Sequence, residues 1–206
     1  MYRIIMRKNR RWWEHPPGRG SGLIRRKDLQ VKRETTGGGS TGMEIRKSKA
    51  EDLGRMMEIY EEARAFMASY GNREQWGDGY PKRDILEEDI ALGRSYVVTE
   101  GERIVGTFAF FIGHDPVYDV ITEGHWTEDR PYGVIHRVAS CSEARGIGHA
   151  CFEFCTKAAD YVRIDTHEKN LPMQQALTRY GFHYCGKIRY PMNGERIAFD
   201  YVAKAV

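Results

Sequence analysis

A run of small residues follows one predicted strand and opens a predicted helix, and it reads Arg145-Gly146-Ile147-Gly148-His149-Ala150. Small residues let the main chain approach a ligand closely, and the free N–H groups of a first helical turn point outward with the positive end of the helix dipole behind them. This turn could bind a diphosphate, although glycines before a helix often have only a structural role. It is neither a P-loop, which requires Gly-Lys and then Ser or Thr, nor the G-x-G-x-x-G of a dinucleotide fold.

Titratable side chains lie on two neighbouring predicted strands. Alternation puts His136 on one strand face with Val134 and Val138. A histidine beside a cleft titrates in the range that suits a general base, but a strand histidine can equally be a hydrogen-bonded core group. Asp165 and His167 end the next strand on one side, where they could orient a substrate or relay a proton.

Metal binding has little support from the sequence. The Asp-x-His pair of Asp165 and His167 has no third ligand nearby along the chain. The chain has 4 cysteines and no C-x-x-C pair, and Cys151 and Cys155 are four residues apart on a predicted helix, as core positions often are. We predict reduced, mostly buried thiols and no metal site.

The elements that position these residues follow from hydrophobic periodicity. Ser48-x-x-Glu51 is a capping box that starts the first helix, and the apolar stripe of that helix continues to Met67. The other predicted elements are strands at 44–47, 95–99, 103–112, 133–139, 161–165, 182–190 and 196–203, and helices at 84–92, 146–159 and 171–180. The order β-α-α-β-β-β-α-β-α-β-β indicates an α/β (α+β) fold with one mixed sheet and helices on both faces.

Length and composition exclude several classes of protein. The 206 residues suit one domain with a remainder, and 41% hydrophobic with 30% charged residues excludes a wholly disordered chain. The longest apolar run, at 104–112, is about half the length of a membrane span, so we predict no transmembrane helix. The chain begins with positive charge but no sustained apolar stretch, so we expect no signal peptide and a cytoplasmic location.

Residues 1–42 differ in composition from residues 43–206. The first segment has 11 basic and 3 acidic residues, a net of +8, whereas the rest has 21 basic and 26 acidic residues, a net of −5. Its glycine-rich end predicts a disordered tail. The tail could be a basic arm for nucleic acid or anionic lipid. Alternatively it is not part of the natural protein, with Met43 as the start and the glycine codons as a misread ribosome-binding site.

The run at 145–150 resembles the Q/R-x-x-G-x-G/A signature of the GNAT superfamily of N-acetyltransferases, with Arg145, Gly148 and Ala150 at the defining positions. Asn170, followed eleven positions later by Gly181-Phe182, resembles the second hallmark. The resemblance covers 43–206 and includes the element order. It implies acetyl-CoA as cosubstrate, bound by its diphosphate at 145–150 and also by Asn170.

The same resemblance implies how the thioester is held. The strands at 133–139 and 161–165 would part at their C-terminal ends and accept the pantetheine arm. An N–H near Val138, Ala139 or Ser140 would polarise the thioester carbonyl. Many relatives have a tyrosine acid seven residues after the asparagine, where this chain has Leu177. Tyr180 could replace it as the acid, although it could equally be a packed aromatic.

Acceptor-binding residues are expected in the loops that shape this pocket in the superfamily. These hold Trp76 and Tyr80 in one loop and Tyr118, Trp126 and Tyr132 in the insertion at 113–132, with Asp165 on the strand end. Aromatic walls suit a small amine or a peptide amine, although aromatic loops can also be packing. A cationic acceptor is favoured by the nearby acidic residues Asp78, Glu123, Glu128 and Asp129.

The leading hypothesis is an N-acetyltransferase that moves an acetyl group directly from acetyl-CoA to a primary amine in a ternary complex, with His136, Tyr180 and His167 as candidate catalytic residues. The second, motivated by Leu177, is a catalytically silent acyl-CoA-binding regulatory module. A third makes the basic tail a nucleic-acid arm and has less support. We expect no membrane partner, and the chain could form a homodimer.

Overall fold

A computed structural model describes residues 42–191 and 194–203, which contain seven strands and four α-helices. Residues 1–41 of the predicted tail therefore lie outside the described residues. The strands are β1 (Met43–Lys47), β2 (Ser95–Glu100), β3 (Arg103–Ile112), β4 (Gly133–Ser140), β5 (Tyr161–Thr166), β6 (His183–Tyr190) and β7 (Gly194–Val202). The helices are α1 (Leu53–Ser69), α2 (Arg83–Ala91), α3 (Ile147–Ala158) and α4 (Leu171–Tyr180).

The strands form one mixed sheet in the order β1-β2-β3-β4-β5-β7-β6. β4 and β5 pair in parallel, and the other neighbours pair antiparallel. The α/β fold and the predicted element order are confirmed. The position of β7 between β5 and β6 is a property of the strand pairing that the order along the chain does not show.

Helices pack on both faces of the sheet. On one face, Phe154 of α3 contacts Tyr96 and Phe108, which are cross-strand partners on β2 and β3. On the other face, Tyr60 of α1 approaches Thr107. Thr107 is the residue before Phe108 on β3, so its side chain points to the opposite face of the sheet from that of Phe108. The four cysteines are buried and free of disulfides. Within the described ranges, none of the helices has the length and apolar character needed to cross a membrane.

The first helix is buried along the predicted stripe but begins differently from the prediction. Its apolar positions at 53, 56, 60 and 67 are buried. Ser48 is not the cap, because its hydroxyl is bonded to the Ser95 hydroxyl at 2.8 Å. Asp52 instead accepts the Lys49 backbone N–H at 2.7 Å and also binds Arg46. The carboxylate that caps the preceding turn is thus one residue later than the capping box predicts.

Candidate active site

The parallel pairing of β4 and β5 is short, and a cavity opens where it ends. Only 133–135 of β4 pair with 162–164 of β5, so the strands part after Ile135 and Ile164. The cavity has a volume of about 460 Å³, and its walls include Val138, Ala139 and Ser140 of β4. The backbone groups of these residues that face β5 have no ladder partner there and are available to an extended ligand.

A β-bulge in β4 places an arginine at the cavity. Phe108 of β3 faces both Arg137 and Val138, and Arg137 has a left-handed φ of 56°. Arg137 donates to the Tyr80 hydroxyl at 3.1 Å and pairs with Asp89. The bulge also corrects the predicted alternation, because Val138 packs on the main core cluster, whereas Val134 lies in a second cluster.

The turn from Ser142 to Gly148 connects β4 to α3 at the cavity. Gly146 is the N-cap of α3, with a φ of 77° that favours glycine. No side chain caps this helix, and its first turn contains no acidic residue, so its first N–H groups remain available to an anion. A Cβ at Gly148 would meet nothing nearer than the Phe152 ring at 3.8 Å. Arg145, Ile147 and Gly148 line the cavity.

Glu62 of α1, which no sequence motif predicted as a site residue, is bonded to this turn. Its carboxylate accepts the Ser142 backbone N–H at 2.9 Å and an Arg55 N–H at 3.3 Å. The Ser142 hydrogen bond is the main cause that lowers the pKa of the Glu62 carboxyl. Glu62 therefore holds the start of the turn and leaves the later N–H groups at the start of α3 unoccupied.

On the opposite side of the cavity, one imidazole lies between two carboxylates. His136 Nε2 is 2.8 Å from Asp115 Oδ2, and His136 Nδ1 is 3.8 Å from Asp165 Oδ1. The hydroxyls of Tyr118 and Tyr190 both donate to Asp165 Oδ1 at 2.9 Å. The His136 and Asp165 side chains are only 13% and 8% exposed, and both residues line the cavity. Asp115 and Tyr190 were not predicted as site residues.

The two carboxyls have opposite pKa shifts. Burial raises the pKa of Asp165 above its ordinary value, despite the opposing effects of His136 and the two tyrosine hydroxyls. Burial acts in the same direction on Asp115, but the hydrogen bond and charge of His136 outweigh it and lower the pKa of Asp115. Paired acidic groups whose environments separate their pKa values are typical of proton-transfer sites.

The loop between α1 and α2 supplies an aromatic wall. Trp76 and Tyr80 line the cavity, with ring centroids 6.4 Å apart, and Tyr190 lines it from β6. Asn170 lies beside this wall as the N-cap of α4, where its side chain accepts the Met173 N–H at 3.2 Å and the Tyr70 hydroxyl at 3.1 Å. These contacts give Asn170 a structural role at the cavity edge.

Tyr180, predicted as a catalytic acid, is not part of the cavity wall. Its hydroxyl is 2.7 Å from the Thr156 hydroxyl, and its ring packs against His149 and Phe152. Leu177 is fully buried in the core and supplies no proton donor. The geometry therefore gives no support to an acid at either position on α4.

His167 also lies away from the cavity lining. β5 ends at Thr166, so the alternation that was expected to align His167 with Asp165 does not continue. Its Nδ1 accepts the Lys169 N–H at 3.2 Å, and burial lowers the pKa of its imidazole. Gly146, His149 and Ala150 likewise do not line the cavity, although they belong to the turn and the first residues of α3.

The aromatic residues of the insertion at 113–132 pack in the second core cluster and do not line the cavity, so their role in acceptor binding stays a prediction. Trp126 does not line the cavity: its indole N–H donates to the Tyr118 carbonyl at 3.0 Å, and the Arg163 guanidinium lies 4.3 Å from its ring. Tyr118 and Tyr132 belong to the second core cluster. The acidic residues at 123, 128 and 129 also lie outside the cavity lining.

The described residues contain no group of three His, Cys, Asp or Glu side chains that could hold a metal ion. No protein-family model and no curated protein matches the chain. Solved structures do match it. A GNAT-family acetyltransferase from Streptococcus agalactiae is 35% identical, with a TM-score of 0.73 over 80% of this chain and 97% of that chain.

Two further solved structures are similar to the chain. A Staphylococcus aureus protein described as an acetyltransferase is 28% identical, with a TM-score of 0.58 over 78% of this chain and 99% of that one. A GNAT-family acetyltransferase from Listeria monocytogenes, 19% identical with a TM-score of 0.58 over 78% and 94%, shares the fold. Given the 35% identity to the streptococcal protein over nearly its whole length, this chain belongs to the GNAT family of acetyltransferases.

Proposed function

We propose that the protein transfers an acetyl group from acetyl-CoA directly to a primary amine within a ternary complex. The observation that carries this proposal is that the uncapped helix start and the His136 cluster open into one cavity at the point where β4 and β5 part. An activated acyl donor bound through main-chain groups and a proton acceptor for the amine are the two requirements of amine acetylation.

The residues on the α3 side of the cavity fit acetyl-CoA. The first N–H groups of α3, around Ile147 and Gly148, would bind the diphosphate with the helix dipole behind them. The unpaired edge of β4 at 138–140 would bind the pantetheine arm, and one of its N–H groups would polarise the thioester carbonyl. Removing one such donor in acyl transfer typically costs about a hundred-fold in rate.

His136 is the proposed proton acceptor on the other side. An ammonium substrate first transfers one proton to His136 Nδ1 and keeps the electron pair on nitrogen. The nitrogen then attacks the thioester carbon, so that a C–N bond forms and the C–S bond breaks. The second proton leaves the nitrogen for the CoA thiolate, and the net products are the amide, CoA and one proton released to solvent.

Asp165 offers one carboxylate to a small cationic amine, in a cavity that Arg137 and Arg196 also line. Asp165 lies at the cavity with a second oxygen, Oδ2, that accepts no hydrogen bond from the described residues. Trp76, Tyr80 and Tyr190 also line this cavity, and aromatic ring faces attract an ammonium group. We infer that the acceptor binds as an ammonium at Asp165 against these rings.

The test is thiol release from acetyl-CoA with a panel of primary amines, including putrescine, L-lysine and tyramine, together with mass spectrometry of the products. We expect an acetylated amine to form in a one-to-one ratio with CoA. Binding of acetyl-CoA with no product across a broad panel would contradict the proposal and favour the silent regulatory module. Retention of salt-sensitive nucleic-acid binding only in the chain with residues 1–42 would support the arm instead.

A further inference from the structure

We propose that Asp115 is a positioning residue that holds His136 in the Nε2–H tautomer, so that the Nδ1 lone pair faces the cavity and receives the proton of the amine. This inference rests on the proposed acetyl transfer and extends it to a residue on the insertion. Asp115 is 21 residues before His136 in the chain and belongs to none of the sequence motifs.

The tautomer follows from the two contacts of the imidazole. An ionised carboxylate can only accept hydrogen bonds, so the 2.8 Å contact with Asp115 Oδ2 requires the proton on Nε2. In a neutral imidazole the other nitrogen, Nδ1, then carries the lone pair. Nδ1 makes no hydrogen bond with the described residues, and the nearest carboxylate oxygen, on Asp165, is 3.8 Å away.

Asp115 is itself held rigidly. Its Oδ1 accepts the Val117 N–H at 3.0 Å, and its backbone N–H donates to the Tyr132 hydroxyl at 3.1 Å. Its side chain is 16% exposed, so water competes little for the contact with His136. A carboxylate fixed in this way sets both the direction and the tautomer of the imidazole, and it stabilises the imidazolium that forms when the amine is deprotonated.

Several other titratable or charged groups surround this pair. The insertion adds Tyr118 and Tyr132. The sheet adds Arg137 from β4, Asp165 from β5, Tyr190 from β6 and Arg196 from β7. All of them are retained in a variant of Asp115 alone, so a change in that variant reports on the Asp115 carboxylate.

The kinetic test compares Asp115→Asn with Asp119→Asn, using the amine that the panel shows to be turned over fastest. Asp119 forms the matched control, because it pairs with exposed His114 at 2.5 Å in the same insertion. We expect Asp115→Asn to lower kcat about a hundred-fold with both KM values within about threefold. Asp119→Asn should match the wild type.

The structural test is independent of turnover. In ¹⁵N-histidine-labelled protein, long-range ¹H–¹⁵N correlation spectra report the tautomer of His136, with His136→Gln providing the assignment. We expect Nε2–H in the wild type and in Asp119→Asn, and its loss in Asp115→Asn. An Nδ1–H tautomer in the wild type, or an unchanged tautomer in Asp115→Asn, would overturn the proposal.

The two proposals fail in different ways. If the wild type acetylates an amine and Asp115→Asn does so equally fast, the positioning role is wrong and acetyl transfer stands. If the wild type binds acetyl-CoA but acetylates no amine, acetyl transfer fails, and the positioning role of Asp115 in that reaction fails with it whatever the spectra show. A cooperative unfolding transition in each variant ensures that the comparison is made on folded protein.

Discussion

The two sides of the gap between β4 and β5 are built by different means. On the α3 side, the turn at 142–148 offers main-chain N–H groups, and its geometry depends on a few consecutive residues such as Gly146. On the β5 side, His136, Asp115 and Asp165 come from β4, the insertion and β5 and are held by partly buried hydrogen bonds. The first side is a local property of the chain, and the second depends on the whole fold.

The largest expected effect comes from the β5 side. His136→Ala should lower kcat about a thousand-fold, because it removes the proposed proton acceptor. The affinity for acetyl-CoA, measured by calorimetry, should change little, since the cofactor side is untouched. His114→Ala is the control, because His114 is exposed in the same region and its imidazole bonds to Asp119 at 2.5 Å. A wild-type rate for His136→Ala would contradict the claim that the β5 side supplies the proton acceptor.

The next largest effect is on the free energy of unfolding, and it concerns the packing of the insertion. Asp200 is fully buried and accepts the Thr127 N–H at 2.7 Å, the Thr127 hydroxyl at 2.8 Å and the Tyr161 hydroxyl at 2.8 Å. Asp200→Ala leaves these donors unpaired and should lower the free energy of unfolding by about 3 kcal/mol, measured in urea. The exposed Asp129→Ala should change it by less than about 0.5 kcal/mol. Equal effects would mean that the insertion is not held by Asp200.

On the α3 side, a single residue should be enough to block binding. Gly148→Glu places a carboxylate at the first N–H groups of α3, and we expect acetyl-CoA affinity to fall about a hundred-fold. The fold should tolerate the change, because a Cβ there meets only the Phe152 ring at 3.8 Å. Gly148→Ala should keep the affinity within about tenfold. Calorimetry that finds unchanged affinity in Gly148→Glu would place the diphosphate elsewhere.

The smallest expected effect is on the pH dependence of stability, to which the two carboxyls of the His136 cluster contribute with opposite sign. The pKa of Asp115 is lowered from 3.8, so its stabilising contribution is present above that pH and is lost as the pH falls through the folded value. The pKa of Asp165 is raised from 3.8, so its contribution is present at low pH and is lost as the pH rises through the folded value.

Urea unfolding between about pH 2 and pH 7 measures this contrast, because the lowered pKa of Asp115 lies below 3.8. On raising the pH, Asp115→Asn should become less stable relative to the wild type, and Asp165→Asn should become more stable relative to it. Each difference should be about 1 kcal/mol, the size of one hydrogen bond. Parallel behaviour of the two variants would contradict the opposite shifts.

The same contrast explains which features were predictable from the sequence. α4 (Leu171–Tyr180) and β3 (Arg103–Ile112) match the predicted ranges, because hydrophobic periodicity is a local signal. The turn at 145–150 was also predictable, because its small residues are consecutive in the chain. The bulge at Arg137 depends on how many residues of β4 face Phe108, which periodicity within β4 cannot show.

Only part of the His136 cluster was predictable from the sequence. His136 and Asp165 were predicted as site residues from their places on two neighbouring strands. Asp115 was missed because its segment has no regular period and its contact to His136 spans 21 residues. Arg137 left a signal that could have been used, since a charged residue between His136 and Val138 in a central strand needs a buried partner.

A crystal structure of the protein with acetyl-CoA would show directly whether the two sides of the cavity serve one reaction. We expect the diphosphate at the first N–H groups of α3 and the thioester between β4 and β5. The thioester carbon should lie about 6 Å from His136 Nδ1, which leaves room for one amine nitrogen at hydrogen-bond distance. A thioester that lies outside the cavity, or one separated from His136 by the wall of β4, would contradict the claim that the two sides serve one reaction.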